Sequence, residues 1–176
     1  MRIIGGKLKG RRLQAPKNLP VRPTTDFAKE ALFNVLNHKI DFENTNLLDL
    51  FSGTGNISYE FASRACPSIL SVEQNNNCIR FIKKTSEELG LSINTVKANV
   101  FRLIAKPAKN TFNVIFADPP YENKELTTIP DLIFKNEWLT PNGLLIVEHG
   151  PHTSFESHSH FVEERSYGHV HFSFFE

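Results

Sequence analysis

Apolar residues recur along this chain with two periods, and together they predict its fold class. Positions 28, 31, 32, 35 and 36 follow the spacing of one helix face, which predicts an amphipathic helix over residues 27–38. Short, mostly apolar runs at 47–50, 69–73, 93–97, 112–117 and 144–148 alternate with helical patterns at 75–89, 101–105 and 124–135. Strands and helices alternating at this length predict an α/β fold with a doubly wound, mostly parallel sheet.

The end of the chain follows a different pattern. Two extended runs, at 161–165 and 167–175, come close together at Gly168, and in the second run apolar and polar residues alternate. A parallel crossover needs a dozen or more residues, so these two runs can pair only as antiparallel strands. We therefore expect a C-terminal antiparallel hairpin at one edge of the sheet.

The turn after the first apolar run predicts a ligand site. Asp49 lies at the carboxyl end of this strand, and Gly53 and Gly55 follow in a short turn before a helical pattern. Glycine permits positive φ and lets a ligand approach the backbone. Glu73 ends the next run, 24 residues after Asp49, where an acid is placed to accept hydrogen bonds from a ribose diol. The dinucleotide fingerprint lacks its third glycine, because position 58 is Ser, so a turn that only shapes the fold and a solvated Glu73 remain alternatives.

The first 22 residues are predicted as a basic arm, apart from a domain formed by residues 23–176. The Gly5-Gly6 pair predicts a hairpin turn in an extended element at 1–13. The arm carries seven basic and no acidic side chains, whereas the remaining residues carry 13 basic and 19 acidic ones. This charge separation is typical of a segment that meets phosphates, although a solvated basic terminus is the alternative. The candidate phosphate-binding side chains are Lys7, Lys9, Arg11, Arg12 and Arg22.

A polar segment, residues 22–26, precedes the helix at 27–38 and is a further candidate part of the site at the glycine turn. Thr25 or Asp26 is predicted to cap this helix. Its N-terminus could lean over the mouth of the turn, where Arg22 could pair with a carboxylate or phosphate. Ordinary capping beside a surface arginine is the alternative.

Composition narrows the class of protein. The chain has 176 residues, 40% hydrophobic residues and 15 Phe, which suits one domain of ordinary size with a partly aromatic core. Cys66 and Cys78 make no disulfide framework, so a reduced, cytoplasmic protein is expected. We expect no membrane partner, because the N-terminus lacks a signal-peptide pattern and no apolar run approaches the roughly 18 residues of a membrane span.

Six histidines lie between 149 and 171, but no acid or cysteine joins them at a ligand spacing, so no metal is expected.

The most specific motif is Asp118-Pro119-Pro120-Tyr121, directly after a largely apolar strand. The prolines have no N–H and fix φ, so their peptide units offer rigid acceptor carbonyls. Asp118, if ionised near the reference pKa of about 3.9, adds a carboxylate acceptor. Tyr121 supplies a flat face on which a base could stack. Two acceptors beside an aromatic ring suit an exocyclic amine, whose lone pair they would turn toward a sulfonium methyl group.

These motifs, in this order, resemble a known family. The opening Arg2-Ile3-Ile4-Gly5-Gly6, Gly10-Arg11-Arg12-Leu13, Arg22-Pro23-Thr24-Thr25-Asp26, the segment from Asp49 to Gly55, Glu73 and Asp118-Pro119-Pro120-Tyr121 together resemble the RsmD family. Its members are bacterial class I, S-adenosylmethionine-dependent methyltransferases that modify guanine N2 in small-subunit ribosomal RNA. The resemblance covers essentially the whole chain and implies a Rossmann-like, seven-stranded sheet with one antiparallel strand inserted near the end.

The resemblance also implies roles for individual residues. Asp118, Pro119, Pro120 and Tyr121 would form the catalytic group, and the substrate would be ribosomal RNA or an assembling small subunit. Asn99 departs from the family, which often has Asp there, but Asn keeps one acceptor. S-adenosylmethionine would be held by Asp49, Phe51, Ser52, Gly53, Thr54, Gly55, Glu73, Gln74, Asn99, Val100 and Thr25.

The sequence motifs leave three other functions open. A DNA adenine-N6 methyltransferase would share Asp118 to Tyr121, although 176 residues leave little room for a target-recognition segment. A nicotinamide-dependent oxidoreductase would explain the glycine turn and Glu73 but not the two prolines. A non-catalytic RNA-binding module would leave the acceptor cluster unused. We expect a monomeric enzyme that methylates RNA.

Overall fold

The computed structural model describes residues 1–16, 19 and 25–176. Its centre is a seven-stranded sheet in the order β3-β2-β1-β4-β5-β7-β6. The strands are β1 (Asn46–Leu50), β2 (Ser68–Glu73), β3 (Asn94–Lys97), β4 (Phe112–Ala117), β5 (Leu139–His149), β6 (Phe161–Tyr167) and β7 (Val170–Phe175). The helices are α1 (Asp26–Lys39), α2 (Asn56–Ser63), α3 (Asn76–Leu89), α4 (Val100–Ile104) and α5 (Ile129–Lys135).

Strand directions confirm the predicted fold class. The neighbours among β1 to β5 pair in parallel, whereas β7 is antiparallel to both β5 and β6. The hairpin is therefore present, but β7 lies inside the sheet and β6 forms the edge. One antiparallel strand inserted near the end is the arrangement that the resemblance implied.

Each face of the sheet packs against its own apolar layer. On one face, α1 and α2 contribute Leu32, Phe33 and Phe61 to a core that also contains Phe172 and Phe174 of β7. On the other face, α4 and α5 close a second core. Because parallel strands are buried on both sides, their near-continuous apolar runs follow directly from this layering.

Two predicted boundaries are wrong. The strand expected from residue 144 begins at Leu139, and β5 contains an irregularity where Phe112 and Val114 pair with Leu139 and Leu144. The extra residues bulge out, so pairing with β4 continues on both sides. The helix expected at 124–135 divides into a 3₁₀ turn, Leu126–Thr128, and α5, which has a proline in its first turn. Proline favours a helix start because it has no N–H to leave unsatisfied.

The N-terminal arm folds back on itself, but not at the predicted turn. The Ile3 N–H donates to the Arg11 carbonyl at 2.9 Å, and the Gly10 N–H donates to the Ile3 carbonyl at 2.8 Å. Between these residues runs a 3₁₀ turn, Gly6–Leu8, so the connection is longer than a two-residue hairpin. Gly6 has φ +72°, and a Cβ there would lie 1.9 Å from the Ser63 carbonyl oxygen. This glycine is required because the arm lies directly on the end of α2.

A buried ion pair anchors the arm. The Glu60 side chain is fully buried, pairs with Lys29 at 3.0 Å and with Arg64, and accepts the Ile4 N–H at 2.6 Å. The Lys29 Nζ also donates to the Arg2 carbonyl at 2.6 Å and to Asn56 Oδ1 at 2.7 Å. Arm, α1 and the start of α2 are therefore joined through two buried charges.

Among the residues that the structure describes, no helix is both long enough and apolar enough to span a membrane.

Candidate active site

Strand register brings four acidic side chains together at the carboxyl edge of the sheet, where the parallel strands end. Asp49 pairs in register with Ser71 and Phe116, and Phe116 pairs with Ile146. Side chains two positions apart share a face, so Glu73, Asp118 and Glu148 extend from the same face as Asp49, each at a strand's carboxyl end. The Asp118 N–H donates to the Leu50 carbonyl at 3.3 Å, which continues the β1–β4 pairing into the motif. This edge is where open α/β sheets bind their ligands.

Asp49 is almost completely buried and holds the start of α2. Its Oδ2 accepts from the Ser58 N–H at 3.1 Å and from the Ser58 hydroxyl at 2.5 Å, and that hydroxyl also contacts the Ser71 hydroxyl at 2.6 Å. Burial raises the pKa of Asp49 to about 7, the bonds from Ser58 lower it, and the charge of Glu73 raises it. Ser58 was missed as a site residue; its signal was a polar residue in place of the fingerprint's third glycine.

The glycine turn has the backbone conformation that its sequence predicts. Gly53 and Gly55 have φ +51° and +84°, and Phe51 joins them at +58°. The Ser52 N–H donates to the Val72 carbonyl at 3.1 Å, which ties the turn to β2. A Cβ on Gly55 would lie 3.0 Å from Ile82 and 3.2 Å from Tyr59, so α2 and α3 close on this residue. Thr54, the remaining candidate of the turn, is buried.

Glu73 lies at the expected strand end, and its carboxylate bonds to backbone. Its Oε2 accepts the Gly53 N–H at 2.9 Å, and its Oε1 accepts the Gln74 and Asn75 N–H groups, each at 2.8 Å. A carboxylate offers about four lone-pair sites, so one acceptor position on Oε2 remains for a ligand hydroxyl. The Glu73 carboxylate therefore holds the glycine turn in place and can still accept one hydrogen bond from a ribose hydroxyl.

Other candidate cofactor residues lie at helix starts. Asn99 caps α4 through its Oδ1, which accepts the Arg102 N–H at 3.0 Å, and Val100 is the buried first residue of that helix. Thr25 caps α1, as predicted, by accepting the Ala28 N–H at 3.2 Å. Gln74 is exposed next to Glu73. Their contacts with a cofactor stay a prediction.

The pKa of Asp118 departs from the reference carboxyl value that was a condition of the sequence argument. Burial raises its pKa well above the usual value, and the negative charges of Glu148 and Asp49 raise it further. The local sequence does not show this shift, because both carboxylates come from other strands. Pro119 is buried and Pro120 is exposed, so the acceptor groups of the motif sit at the boundary between core and solvent.

Tyr121 is held in place by β5 and the residue that follows it. Its hydroxyl donates to Glu148 Oε1 at 2.7 Å, and its ring lies against Gly150, where a Cβ would come within 3.0 Å of Cδ2. The residue is 40% exposed, so part of its surface faces solvent. Glu148 was also missed; like Asp49 and Glu73, it is an acid near the end of an apolar run.

Converging carboxylates give this edge a defined chemistry. Asp49, Glu73, Asp118 and Glu148 would repel one another when ionised, and a nearby cation would relieve that repulsion. A sulfonium or ammonium group therefore fits the residues present. Beside such a group, the Asp118 carboxylate and the Pro119 carbonyl can accept two N–H bonds from an amine.

The basic arm is displayed on the surface. The candidate side chains Lys7, Lys9, Arg11 and Arg12 belong to exposed residues, as expected of groups that meet phosphates. Arg22 lies outside the described residues, as do its neighbours Pro23 and Thr24.

Three titratable residues meet across strands β5 to β7. Glu164 Oε1 lies 2.7 Å from His171 Nδ1, and Glu164 Oε2 lies 3.6 Å from His149 Nε2. These groups could hold a metal ion, because their ligand atoms all lie within 4.8 Å of one another. His149 already bonds to the Gly150 carbonyl and the Ser173 hydroxyl, and its burial lowers its pKa. The sequence argument missed this acid because it comes from a neighbouring strand; the absence of a metal stays a prediction.

Comparisons with known proteins agree with this geometry. The family described as Conserved hypothetical protein 95 matches residues 1–176. Ribosomal RNA small subunit methyltransferase D of Buchnera aphidicola is 35% identical over 150 residues, which cover 84% of this chain and 75% of that protein. Among solved structures, hypothetical protein TTHA0928 of Thermus thermophilus has a TM-score of 0.85 at 26% identity and covers 100% of this chain and 99% of its own.

A more distant structure shares the fold. It is the T. thermophilus 16S rRNA N2 G1207 methyltransferase (RsmC) in complex with AdoMet and guanosine, with a TM-score of 0.69, 17% identity and coverage of 90% of this chain and 45% of its own. The chain therefore belongs to the Conserved hypothetical protein 95 family, the RsmD family of class I methyltransferases.

Proposed function

We propose that this protein transfers a methyl group from S-adenosylmethionine to the exocyclic N2 amine of a guanine in small-subunit ribosomal RNA. The observation that carries the proposal is that two groups of residues lie at the same edge of the sheet, after neighbouring strands. Asp118 and Pro119, which suit an amine, follow β4, and Asp49 and the glycine turn, which suit a cationic cofactor, end β1 beside it.

The cofactor supplies an electrophilic methyl group on a sulfonium. Asp49 and the backbone of the glycine turn would face its methionine end, and Glu73 would take a ribose hydroxyl with its remaining acceptor position. Gln74, Asn99 and Val100 would flank the adenine, with Thr25 at the mouth of the turn. The negative charge of the edge stabilises the cation without a metal ion.

Asp118 and Pro119 act on the amine. The Asp118 carboxylate and the Pro119 carbonyl accept its two N–H bonds, which frees the nitrogen lone pair from the ring. Transfer of the methyl group from the sulfonium to the nitrogen would leave a surplus proton on the amine, which the Asp118 carboxylate would accept. The raised pKa of Asp118 makes its ionised carboxylate a better proton acceptor than an ordinary aspartate. Tyr121 stacks on the guanine, and Pro120 keeps the motif rigid.

The proposed substrate rests on the relatives and on charge. The Buchnera relative is named for the small ribosomal subunit, and the RsmC structure for guanine N2. The exposed arm supplies Lys7, Lys9, Arg11 and Arg12 for phosphates, and we extend that role to Arg22. A stacked or paired base must leave its neighbours to reach Asp118, so a loop or single strand of free RNA or of an assembling subunit suits the site. The enzyme would act in the cytoplasm as a monomer.

Labelled methyl transfer tests this function. Unmodified small-subunit RNA and particles are incubated with labelled cofactor, and the product base is identified. We expect N2-methylguanine from the wild-type protein. Asp118→Ala should reduce transfer by at least about a hundredfold, since it removes both acceptor and charge. Asp118→Asn keeps one acceptor and the same shape, so it should retain more activity than Asp118→Ala.

Cofactor calorimetry separates binding from chemistry. Asp118→Ala should still bind S-adenosylmethionine, because Asp49, Glu73 and the turn remain. Near wild-type turnover by Asp118→Ala would remove this residue from the mechanism. Methylation of DNA adenine but not of ribosomal RNA would contradict the proposed substrate, and tighter binding of a nicotinamide dinucleotide would contradict the proposed cofactor.

A further inference from the structure

A groove of about 610 Å³ separates the N-terminal arm from helix α3. None of its lining residues belongs to the four-acid edge, and its charge is of the opposite sign. Among the described lining residues, four are cationic and one is anionic. The lining consists of Arg11, Arg12, Leu13, Gln14, Pro16, Leu19, Asn77, Arg80, Phe81, Lys84, Thr85, Glu88 and Leu89.

The cations come from both walls. Arg11 and Arg12 are exposed on the arm, and Arg80 and Lys84 are exposed on α3. Residues four apart lie on one helix face, so the two α3 cations share the face that lines the groove. Leu13, Phe81 and Leu89 contribute apolar surface between the walls. A groove with basic walls and apolar surface between them suits an RNA strand, because its phosphates can meet the basic walls while the C–H faces of its riboses and the faces of its bases lie on the apolar surface.

Nearby acids do little to neutralise these cations. The Arg80 guanidinium donates to the neutral amide oxygen of Asn77. Lys84 lies 3.7 Å from Glu88, but both side chains are more than 60% exposed, and such pairs contribute little. Among the described lining residues, Glu88 supplies the only carboxylate. The groove therefore keeps a positive balance.

The groove reaches toward the proposed active site. Asn77, one of its lining residues, lies in the first turn of α3, and only two residues separate that helix from Glu73. A chain that leaves the groove past Asn77 would reach the carboxyl edge of the sheet, where Asp118 lies.

We propose that this groove binds the sugar–phosphate backbone of the RNA strand that carries the target guanine, with Arg80 and Lys84 of α3 acting together with Arg11 and Arg12 of the arm. The inference rests on the proposed function and adds a second wall to the RNA site. An acidic protein surface is the competing occupant, but cations on both walls with apolar surface between them favour a polyanionic strand.

Paired charge removal tests the groove. Arg80→Gln/Lys84→Gln should weaken binding of small-subunit RNA by about tenfold at low salt. It should also flatten the dependence of log K on log[salt] by about 1.4, as expected for two lost single-strand phosphate contacts. The control is Lys106→Gln/Lys109→Gln, which removes the same charge from exposed residues. These residues precede β4 and therefore lie on the side of the sheet where the parallel strands begin, away from Asp118. The control should keep the wild-type slope.

Chemical footprinting tests the groove without a substitution. Acetylation of Lys84 by an amine-reactive reagent should slow at least threefold when RNA is bound, whereas acetylation of Lys106 should not change. Thermal unfolding and cofactor calorimetry of the paired variants establish that the fold and the cofactor site are intact.

The results separate the groove from the proposed function. Wild-type methylation with an unchanged slope in Arg80→Gln/Lys84→Gln and an unprotected Lys84 would overturn the groove alone. A wild-type protein that neither binds nor methylates the RNA would overturn the proposed function itself. Equal weakening by the two paired variants would show a general charge effect and would also contradict the groove.

Discussion

Ser58 stands where a dinucleotide-binding turn has its third glycine, and it changes what Asp49 can do. The Ser58 N–H and hydroxyl both bond to Asp49 Oδ2, so this acid links β1 to α2. Burial nevertheless leaves the pKa of Asp49 at about 7. Because this value exceeds that of an unfolded aspartate, Asp49 favours the folded state at acid pH, and that contribution is lost as the pH rises from about 4 to 7.

Cofactor affinity should depend on this titration. A sulfonium cation favours the ionised form of Asp49, so S-adenosylmethionine should bind more tightly as the pH rises from 6 to 8, by up to about tenfold per pH unit below 7. Calorimetry at pH 6, 7 and 8 in buffers of different ionisation enthalpy measures both affinity and proton release. Asp49→Asn should weaken binding and reduce the pH dependence, leaving the part due to Asp118.

A charge-matched control is available on the surface. Glu156→Gln removes one exposed carboxylate from the loop before β6 and should leave the pH profile unchanged. An affinity that is the same at pH 6 and 8 in the wild-type protein would contradict the ionisation of Asp49 on binding.

At the scale of elements, the arm is part of the core packing. Ile3 and Leu13 are buried in the same core as α1 and α2. The Glu60 carboxylate accepts a hydrogen bond from the Ile4 N–H of the arm. Lys29 extends this network to Asn56, the first residue of α2 after the glycine turn. The elements proposed to hold RNA and cofactor thus share one buried anchor.

Breaking this anchor should be costly. Glu60→Gln leaves Lys29 without its buried counter-charge, which should lower the free energy of unfolding by about 3–5 kcal/mol. Amide hydrogen exchange of Ile3 and Gly10 should accelerate, because their bonds lie within the arm. Denaturant unfolding and hydrogen exchange provide the two measurements.

The chain offers a matched pair for comparison. Arg64–Glu60 and Lys84–Glu88 are both i,i+4 ion pairs, but the second is exposed. Glu88→Gln should therefore change stability by less than about 0.5 kcal/mol. If both variants lost the same stability, burial would not be the source of the effect.

At the scale of the molecule, the C-terminal strand completes the sheet. Because β7 lies between β5 and β6, its Phe172, Phe174 and Phe175 are buried against layers built from earlier parts of the chain. The same insertion places β7 beside the carboxyl end of β5, where Ser173 pairs with Val147 and His171 pairs with His149. Glu148 lies between these two pairs. Closing the core and shaping the active-site edge therefore depend on the same strand.

Phe174→Ala should destabilise the whole protein by about 3–5 kcal/mol, since it leaves a cavity in the core beneath α1 and α2. Cooperative loss of structure in denaturant, followed by both fluorescence and circular dichroism, measures this effect. Val162→Ala on the edge strand β6 is the control, because Val162 is 47% exposed and should cost less than about 1 kcal/mol. A Phe174 variant as stable as this control would mean that β7 is not needed for the core.

Much of this protein was predictable because periodicity, turn residues and capping are properties of neighbouring residues. The α/β class, the C-terminal hairpin, the cap at Thr25 and the positive φ of Gly53 and Gly55 follow from local sequence. The resemblance named the family from short motifs in a fixed order. Predicted boundaries were wrong where distant pairing decided them, as at Leu139, where pairing with β4 extends the strand five residues before its predicted start.

Only the tertiary structure decided which side chains meet. Glu148 raises the pKa of Asp118 because β5 lies in register beside β4, and Ser58 bonds to Asp49 because α2 folds back over β1. Glu164 joins two histidines across strands, and α3 forms a basic groove with an arm that is distant in sequence. Such contacts depend on register and on the packing of layers, which no window of consecutive residues contains.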